Sequence, residues 1–307
     1  MKNKIVFMGT PIFSVPILKS LYQNGYPVSV VYTQPPNKSQ RGQKLKNSPI
    51  HNISEILNLE VRTPLNLKNN ENEYNFLKNL KADLAIVVAY GQIIPKDYLA
   101  LTKKGFINIH GSLLPLWRGA APIQRSIMNL DNETGISIMK IEEELDSGPV
   151  SNFYKIKLDR NQNAQEISEK LSILAAEKIL DNIDDILEDK AKFIEQDHSK
   201  ATYAKKIDKK DSEIKWNMPA KNLIAIINGL NPFPGVWFKH KNNRIKIFEA
   251  IEVDQAGKTG EVLDKKLTVA CGDKAIRILS LQKEGKKILK TEDFLAGYKI
   301  TEGEILI

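Results

Sequence analysis

Asn108 and His110 stand two residues apart at the end of an apolar run, and Asp146 follows later in Leu145-Asp146-Ser147-Gly148. In an extended strand alternate side chains share one face, so the amide and the imidazole converge on one place. A bulky polar pair has little reason to end a buried strand unless something binds there. The chemistry open to the three is acyl transfer to an amine. An acyl carbonyl under attack gathers negative charge on oxygen, and one well-placed donor contributes roughly 3–4 kcal/mol there. The Asn amide and an imidazole N–H are suitable donors. An attacking amine must shed a proton, which a carboxylate beside the imidazole can accept directly or through water. No activated Ser, Thr or Cys nucleophile accompanies the trio. Taken singly, each residue has a plainer role: Asn108 in a turn, His110 as a satisfied, partly buried histidine, Asp146 as a helix cap. Taken together, the pattern favours chemistry.

The elements that would position these residues alternate between the strand and helix periods. Ile5–Met8 is a short buried strand closed by Gly9-Thr10-Pro11, and residues 11–24 carry Val15, Leu18 and Leu21 at helical spacing before Gly25. Strands are predicted at 28–33, 59–62, 84–89, 105–110 and 135–141, with helices near 50–58, 70–80, 122–129 and 164–189. Leu84–Ala89 is continuously apolar, as in a strand buried on both faces. This order predicts a doubly wound, mostly parallel α/β sheet, in which ligands bind beyond the carboxyl ends of the strands. Gly9, Tyr90-Gly91 and the Asn108–Pro115 segment fall at those ends. Past a polar stretch, a helix near 219–229 and short strands at 235–239, 244–251, 259–264, 266–271 and 275–281 suggest a small barrel or sandwich. The expected organisation is a catalytic domain over 1–190, a linker over 191–208 and a C-terminal domain over 209–307. The aromatics Trp216, Phe233, Trp237, Phe238, Phe248, Phe294 and Tyr298 lie in mostly apolar contexts and read as core.

Composition narrows the function classes. In 307 residues there is one cysteine, Cys271, so neither a disulfide within the chain nor a Cys-based metal cluster is expected. The four histidines (His51, His110, His198, His240) lack metal-ligand spacing, and no metal is expected. No apolar run approaches the ~18 residues of a membrane span, and the first strand is too short for a signal peptide, so the expectation is a cytoplasmic protein with no membrane partner. Pro11 stands where a dinucleotide-binding turn needs glycine, which argues against NAD or FAD. The net charge is +8, and residues 201–307 hold 20 Lys and Arg against 14 Asp and Glu. A polyanionic partner would explain that excess, and so would a general Lys-rich habit. The loop over 34–49, with Lys38, Arg41, Lys44 and Lys46, is long and basic, as a solvated loop or an arm that orders on phosphates would be.

Asn108-Ile109-His110-Gly111-Ser112-Leu113-Leu114-Pro115, with Trp117-Arg118-Gly119-Ala120-Ala121-Pro122-Ile123-Gln124 and Leu145-Asp146-Ser147-Gly148, resembles the formyltransferases that use 10-formyltetrahydrofolate. Phe7-Met8-Gly9-Thr10-Pro11, Val87-Val88-Ala89-Tyr90-Gly91 and Asn231-Pro232-Phe233-Pro234-Gly235 extend the resemblance along nearly the whole chain. The resemblance implies a Rossmann-like formyltransferase domain followed by a small OB-like β-barrel that presents a basic face to tRNA. It implies catalytic roles for Asn108, His110 and Asp146, and folate contacts for Ser112, Leu113, Leu114, Pro115, Tyr90 and Gly91. It further implies tRNA contacts for Arg41 and Lys44, with 10-formyltetrahydrofolate as co-substrate. Its strongest likeness is to members that formylate methionine carried on initiator tRNA; nothing in the sequence suggests an obligate interface, and a monomer is expected. A member acting on a nucleotide or sugar-nucleotide amine is the alternative.

Overall fold

A computed structural model describes residues 3–39 and 44–306. The chain divides into two compact units, one built from residues 1–120, 134–156 and 168–204, the other from 121–133, 157–167 and 205–307.

The first unit is organised by a seven-stranded sheet. In chain order its elements are β1 (Ile5–Gly9), α1 (Val15–Gln23), β2 (Val28–Tyr32), β3 (Asn37–Ser39), β4 (Lys44–Lys46), α2 (Pro49–Ile56), β5 (Val61–Arg62), α3 (Glu71–Leu80), β6 (Leu84–Val88), β7 (Phe106–His110) and β8 (Arg118–Gly119). After α4 (Pro122–Met128), which belongs to the second unit, come β9 (Glu133–Lys140), β10 (Val150–Lys157), α5 (Ala164–Leu187) and β11 (Tyr203–Ala204). The strand order is β10-β9-β7-β6-β1-β2-β5. The pairs β1–β2, β1–β6, β2–β5 and β6–β7 are parallel, whereas β7–β9 is antiparallel. β1 and β6 are buried along their whole length, which is why both read as unbroken apolar runs. The order reverses beside β1, so the loops after β1 and β6 flank the switch point where such sheets bind ligands. α5 is tied to α1 and the segment before it by Ser172 Oγ donating to the Phe13 carbonyl at 2.6 Å and Ser20 Oγ to the Ala176 carbonyl at 2.7 Å.

The loop expected over 34–49 contains a small antiparallel hairpin, β3 with β4. Arg41 lies outside the described residues. Lys44 opens β4 and pairs with Ser39 through the backbone.

At the far edge of the first sheet, Glu73 of α3 receives the Tyr32 hydroxyl at 2.8 Å and the Arg62 guanidinium at 2.7 and 2.9 Å. Burial pushes the Glu73 carboxyl up, but the bonds from Arg62 and Tyr32 outweigh it and leave it below the usual carboxylate range. A carboxyl depressed on folding stabilises the native state above its unfolded titration range and loses that contribution as pH falls. Glu73→Gln is therefore expected to cost about 2 kcal/mol at pH 7, the buried-pair penalty reduced for Arg62's partial exposure. The gap from the parent should shrink below pH 4. Urea denaturation of both proteins at pH 7 and pH 3 checks it, and an equal gap at both pH values would contradict the account.

The second unit combines α4 with α6 (Ala220–Leu230) and an antiparallel sheet of β12 (Val236–His240), β13 (Asn243–Val253), β14 (Thr268–Ala270), β15 (Ala275–Lys283) and β16 (Leu289–Lys290), followed by α7 (Thr291–Gly297). The sheet order is β12-β13-β15-β14, with β16 on β15. Of the barrel or sandwich expectation, the structure shows an antiparallel sheet. The run at 259–264 contributes only isolated bridges, from Glu261 to Ile305 and from Val262 to Val269. The core gathers Trp216, Leu223, Ile227, Phe238, Ile247 and Ile278, among others. Phe233 corrects the reading of the aromatics as core: it is 80% exposed. No helix among the described residues is long and apolar enough to cross a membrane.

Candidate active site

Asn108 and His110 lie on one face of β7, as the strand period requires, and Asp146 reaches both. Asn108 Nδ2 faces Asp146 Oδ1 at 3.4 Å, and His110 Nδ1 faces Asp146 Oδ2 at 3.6 Å. His110 is 6% exposed and the Asp146 side chain 14%. The antiparallel β9 explains how Asp146 arrives. Ile107 pairs with Lys140, so β9 ends beside the start of β7, and the 141–149 loop turns back over the face that carries Asn108 and His110.

His110 Nε2 lies 3.0 Å from the Trp117 carbonyl. A carbonyl only accepts, so Nε2 carries a hydrogen, and Nδ1 is the nitrogen turned to the carboxylate. The 3.6 Å between Nδ1 and Asp146 exceeds hydrogen-bond range, so the two groups face each other without a direct bond. Asp146 is anchored instead by the Gly119 N–H, which donates to Oδ2 at 2.8 Å.

The backbone is strained at Trp117, which anchors His110, and at Asp146 itself. Trp117 has φ +60° and Asp146 φ +49°, conformations that L-residues rarely adopt and that together cost a few kcal/mol, roughly 1–3 for each. Glycine is required beside them. At Gly119, with φ +120°, a Cβ would meet the Ala204 carbonyl oxygen at 2.8 Å, and at Gly148 a Cβ would meet the Lys140 carbonyl oxygen at 2.2 Å.

Two family models match the chain, "Formyl transferase" over residues 2–183 and "Formyl transferase, C-terminal domain" over residues 206–299. The chain belongs to the formyl transferase family. Among the relatives of this formyl transferase, the methionyl-tRNA formyltransferase of Pelagibacter ubique is 58% identical over 99% of the chain and 98% of its own length. That of Brucella melitensis is 43% identical over 97% and 99%. Among solved structures, the N-formyltransferase from Helicobacter canadensis in complex with folinic acid and dTDP-3-aminofucose superposes with a TM-score of 0.71 at 16% identity, covering 92% of this chain and 99% of its own. A sugar 3N-formyl transferase with dTDP and 5-N-formyl-THF gives 0.68 at 18% identity, with 94% and 100% covered. At such identities these structures speak for the fold alone.

The other residues singled out in this formyl transferase fall into different surroundings. Ser112 is fully buried, and its hydroxyl donates to the Leu116 carbonyl at 2.6 Å, so its side chain braces the loop. Leu114 is buried against Met139 and Val150, and its N–H donates to Ser137 Oγ at 3.0 Å. Leu113 and Pro115 are half-buried beside it. The Tyr90 ring is buried in the cluster with Tyr32 and Tyr98, and burial pushes its phenol up. The backbone of Tyr90-Gly91 is what lies at the end of β6. Thr10 Oγ1 donates to the Tyr90 carbonyl at 2.7 Å, and Gln34 Nε2 to the Gly91 carbonyl at 2.9 Å. Nearby, Thr10, Pro11, Gln34, Pro35 and Ile53 line a cavity of about 560 Å³ beyond β1 and β2.

Three contributors have no role foreseen from the sequence: the Trp117 carbonyl and the Gly119 N–H, which lie inside a quoted motif, and Gln196. The first two act through backbone atoms. Gln196 is a buried polar residue in a polar segment, where neither period nor spacing marks it.

Proposed function

We infer that the chain transfers a formyl group from 10-formyltetrahydrofolate to the α-amino group of methionine esterified to initiator tRNA. The convergence of Asn108, His110 and Asp146 supports the chemistry, and the near-full-length likeness to methionyl-tRNA formyltransferases supports the substrate. The donor set fits that substrate. It offers an amide donor, an imidazole and one base without a side-chain nucleophile, as direct attack by an amine requires.

The residues act as follows. Asp146, with Oδ2 held by Gly119, takes a proton from the attacking amine as its nitrogen bonds to the formyl carbon. Asn108 turns an N–H toward the formyl oxygen, where the electron pair of the C=O collects. His110, its ring fixed by the Nε2 hydrogen on Trp117 O, acts as a second donor to that oxygen in its doubly protonated form, with hydrogen on Nδ1 as well. When the carbonyl re-forms, the bond from the formyl carbon to the folate nitrogen breaks. That nitrogen recovers the proton that Asp146 took, and tetrahydrofolate departs. Ser112 to Pro115 and the Tyr90-Gly91 backbone flank the folate. An OB-like C-terminal unit, with its excess of lysines, meets the tRNA together with Arg41 and Lys44.

Formyl transfer onto methionine-charged initiator tRNA, free methionine and a dTDP-amino sugar tests this reading. Charged tRNA should give a kcat/KM at least ~10³-fold above free methionine, because contacts remote from the amine contribute to the transition state. Equal rates on the two, or turnover confined to the amino sugar, would overturn the substrate assignment.

A further inference from the structure

Gln196 follows α5 in a polar stretch, yet it is only 7% exposed. Its amide is fully used. Nε2 donates to the Asp146 carbonyl at 2.9 Å and to the Gly148 carbonyl at 2.7 Å. Oε1 accepts from Arg118 Nε at 3.1 Å and Nη2 at 2.7 Å. A flipped amide would set its N–H groups against the guanidinium and its oxygen against two carbonyls, so the network admits one orientation. Arg118 is itself buried at 3% exposure, and its Nη2 also meets His198 Nδ1 at 3.2 Å.

Arg118 sits between Trp117, whose carbonyl holds His110, and Gly119, whose N–H holds Asp146. One side of Gln196 therefore grips the strand that supplies both anchors, and the other side grips the main chain of Asp146 and Gly148. The same stretch reinforces the first grip. Arg118 N–H donates to the Thr202 carbonyl at 2.8 Å, Ala120 N–H to the Ala204 carbonyl at 2.9 Å, and Trp117 N–H to Thr202 Oγ1 at 2.8 Å.

We propose that Gln196 is a positioning residue for the formyl transfer, holding the Asp146 loop at fixed distance from His110 by tying it to Arg118. This rests on Asp146 being the carboxylate that takes the proton. The left-handed backbone at Asp146 is unfavourable by itself, and the two donations from Gln196 to the turn's carbonyls hold it in place. A reacting group displaced by about 1 Å loses roughly 10²-fold in rate.

The test compares Gln196→Glu, Gln196→Asn and Asp146→Asn with the parent enzyme. In Gln196→Glu the carboxylate still accepts from Arg118, which keeps the fold, but its second oxygen faces the Asp146 and Gly148 carbonyls, so Tm should fall by roughly 5–10 °C while the protein stays folded at assay temperature. The donations to Asp146 and Gly148 are lost, so kcat should fall by roughly 30–100-fold. KM for both substrates should hold within about two-fold, since ground-state binding is untouched. Gln196→Asn keeps both hydrogen-bonding types on a stem one carbon shorter that cannot span the gap, and should show the same split. Should the Glu variant fail to fold, the Asn variant decides. Parent-like kcat in whichever folded variant decides, or a kcat loss matched by an equal loss of folded protein, would overturn the proposal. If Asp146→Asn keeps parental activity, the reading of the carboxylate fails first. If it is inactive while the Gln196 variants are active, only the positioning role fails.

Discussion

Asn108→Asp is expected to lower kcat by about 10³-fold while leaving folate affinity within a few-fold. The substitution is isosteric and keeps the residue on the same face of β7, so the site should remain folded. What changes is the sign of the charge offered to the formyl oxygen. A neutral amide donates to an oxygen that becomes negative, and losing one such donor costs roughly 10²–10³ in rate. A carboxylate also repels that charge, and at 3.4 Å it would face Asp146 as a like-charged pair. Ground-state folate carries no oxyanion, which is why its binding should be nearly unchanged. Single-turnover kinetics with a folate titration checks both halves. Activity close to the parent would remove Asn108 from the chemistry.

The second large effect belongs to Asp146. In Asp146→Asn the side-chain oxygen can still accept from Gly119, and the loop should keep its course. The variant cannot receive the amine proton, so kcat should drop by about 10²–10⁴-fold, the range for general-base removal. A base is needed only while the incoming amine carries a proton to lose. Raising the pH from 7 to 9 deprotonates more of the free α-amino group but leaves that later proton in place. The deficit should therefore persist across the range. Full recovery at pH 9 would mean that Asp146 serves only to deprotonate the resting ammonium.

Burial explains which elements could be read from the sequence. β1 and β6 are covered on both faces, and their residues Ile5–Met8 and Leu84–Val88 show it directly as unbroken apolar runs. β10 is not legible because Ser151-Asn152-Phe153-Tyr154 breaks the polar/apolar alternation, with Phe153 on the exposed side, and leaves only Tyr154–Lys157 with a strand period. α7 is seven residues long, too short to display a period. Phe233 was misjudged because apolar neighbours in sequence say nothing about which way a Pro-flanked turn faces. The pairing of Asn108 with His110 was legible because alternation along one strand is a local property. The route of Asp146 was not, since it depends on β9 running antiparallel to β7, and hydrophobic pattern does not encode strand direction. Gln196 lies at the opposite extreme: it is buried through four hydrogen bonds, and its surroundings in sequence are those of a surface.

The stitching of residues 115–120 to 196–204 also orders events during synthesis. A nascent chain exposing only its first 190 residues already contains Asn108, His110 and Asp146. It lacks the segment that pairs β8 with β11 and seats Arg118. Alignment of the three proposed catalytic residues must then wait for about fourteen further residues to clear the ribosomal tunnel, so a truncated product released early carries those side chains without the frame that aligns them.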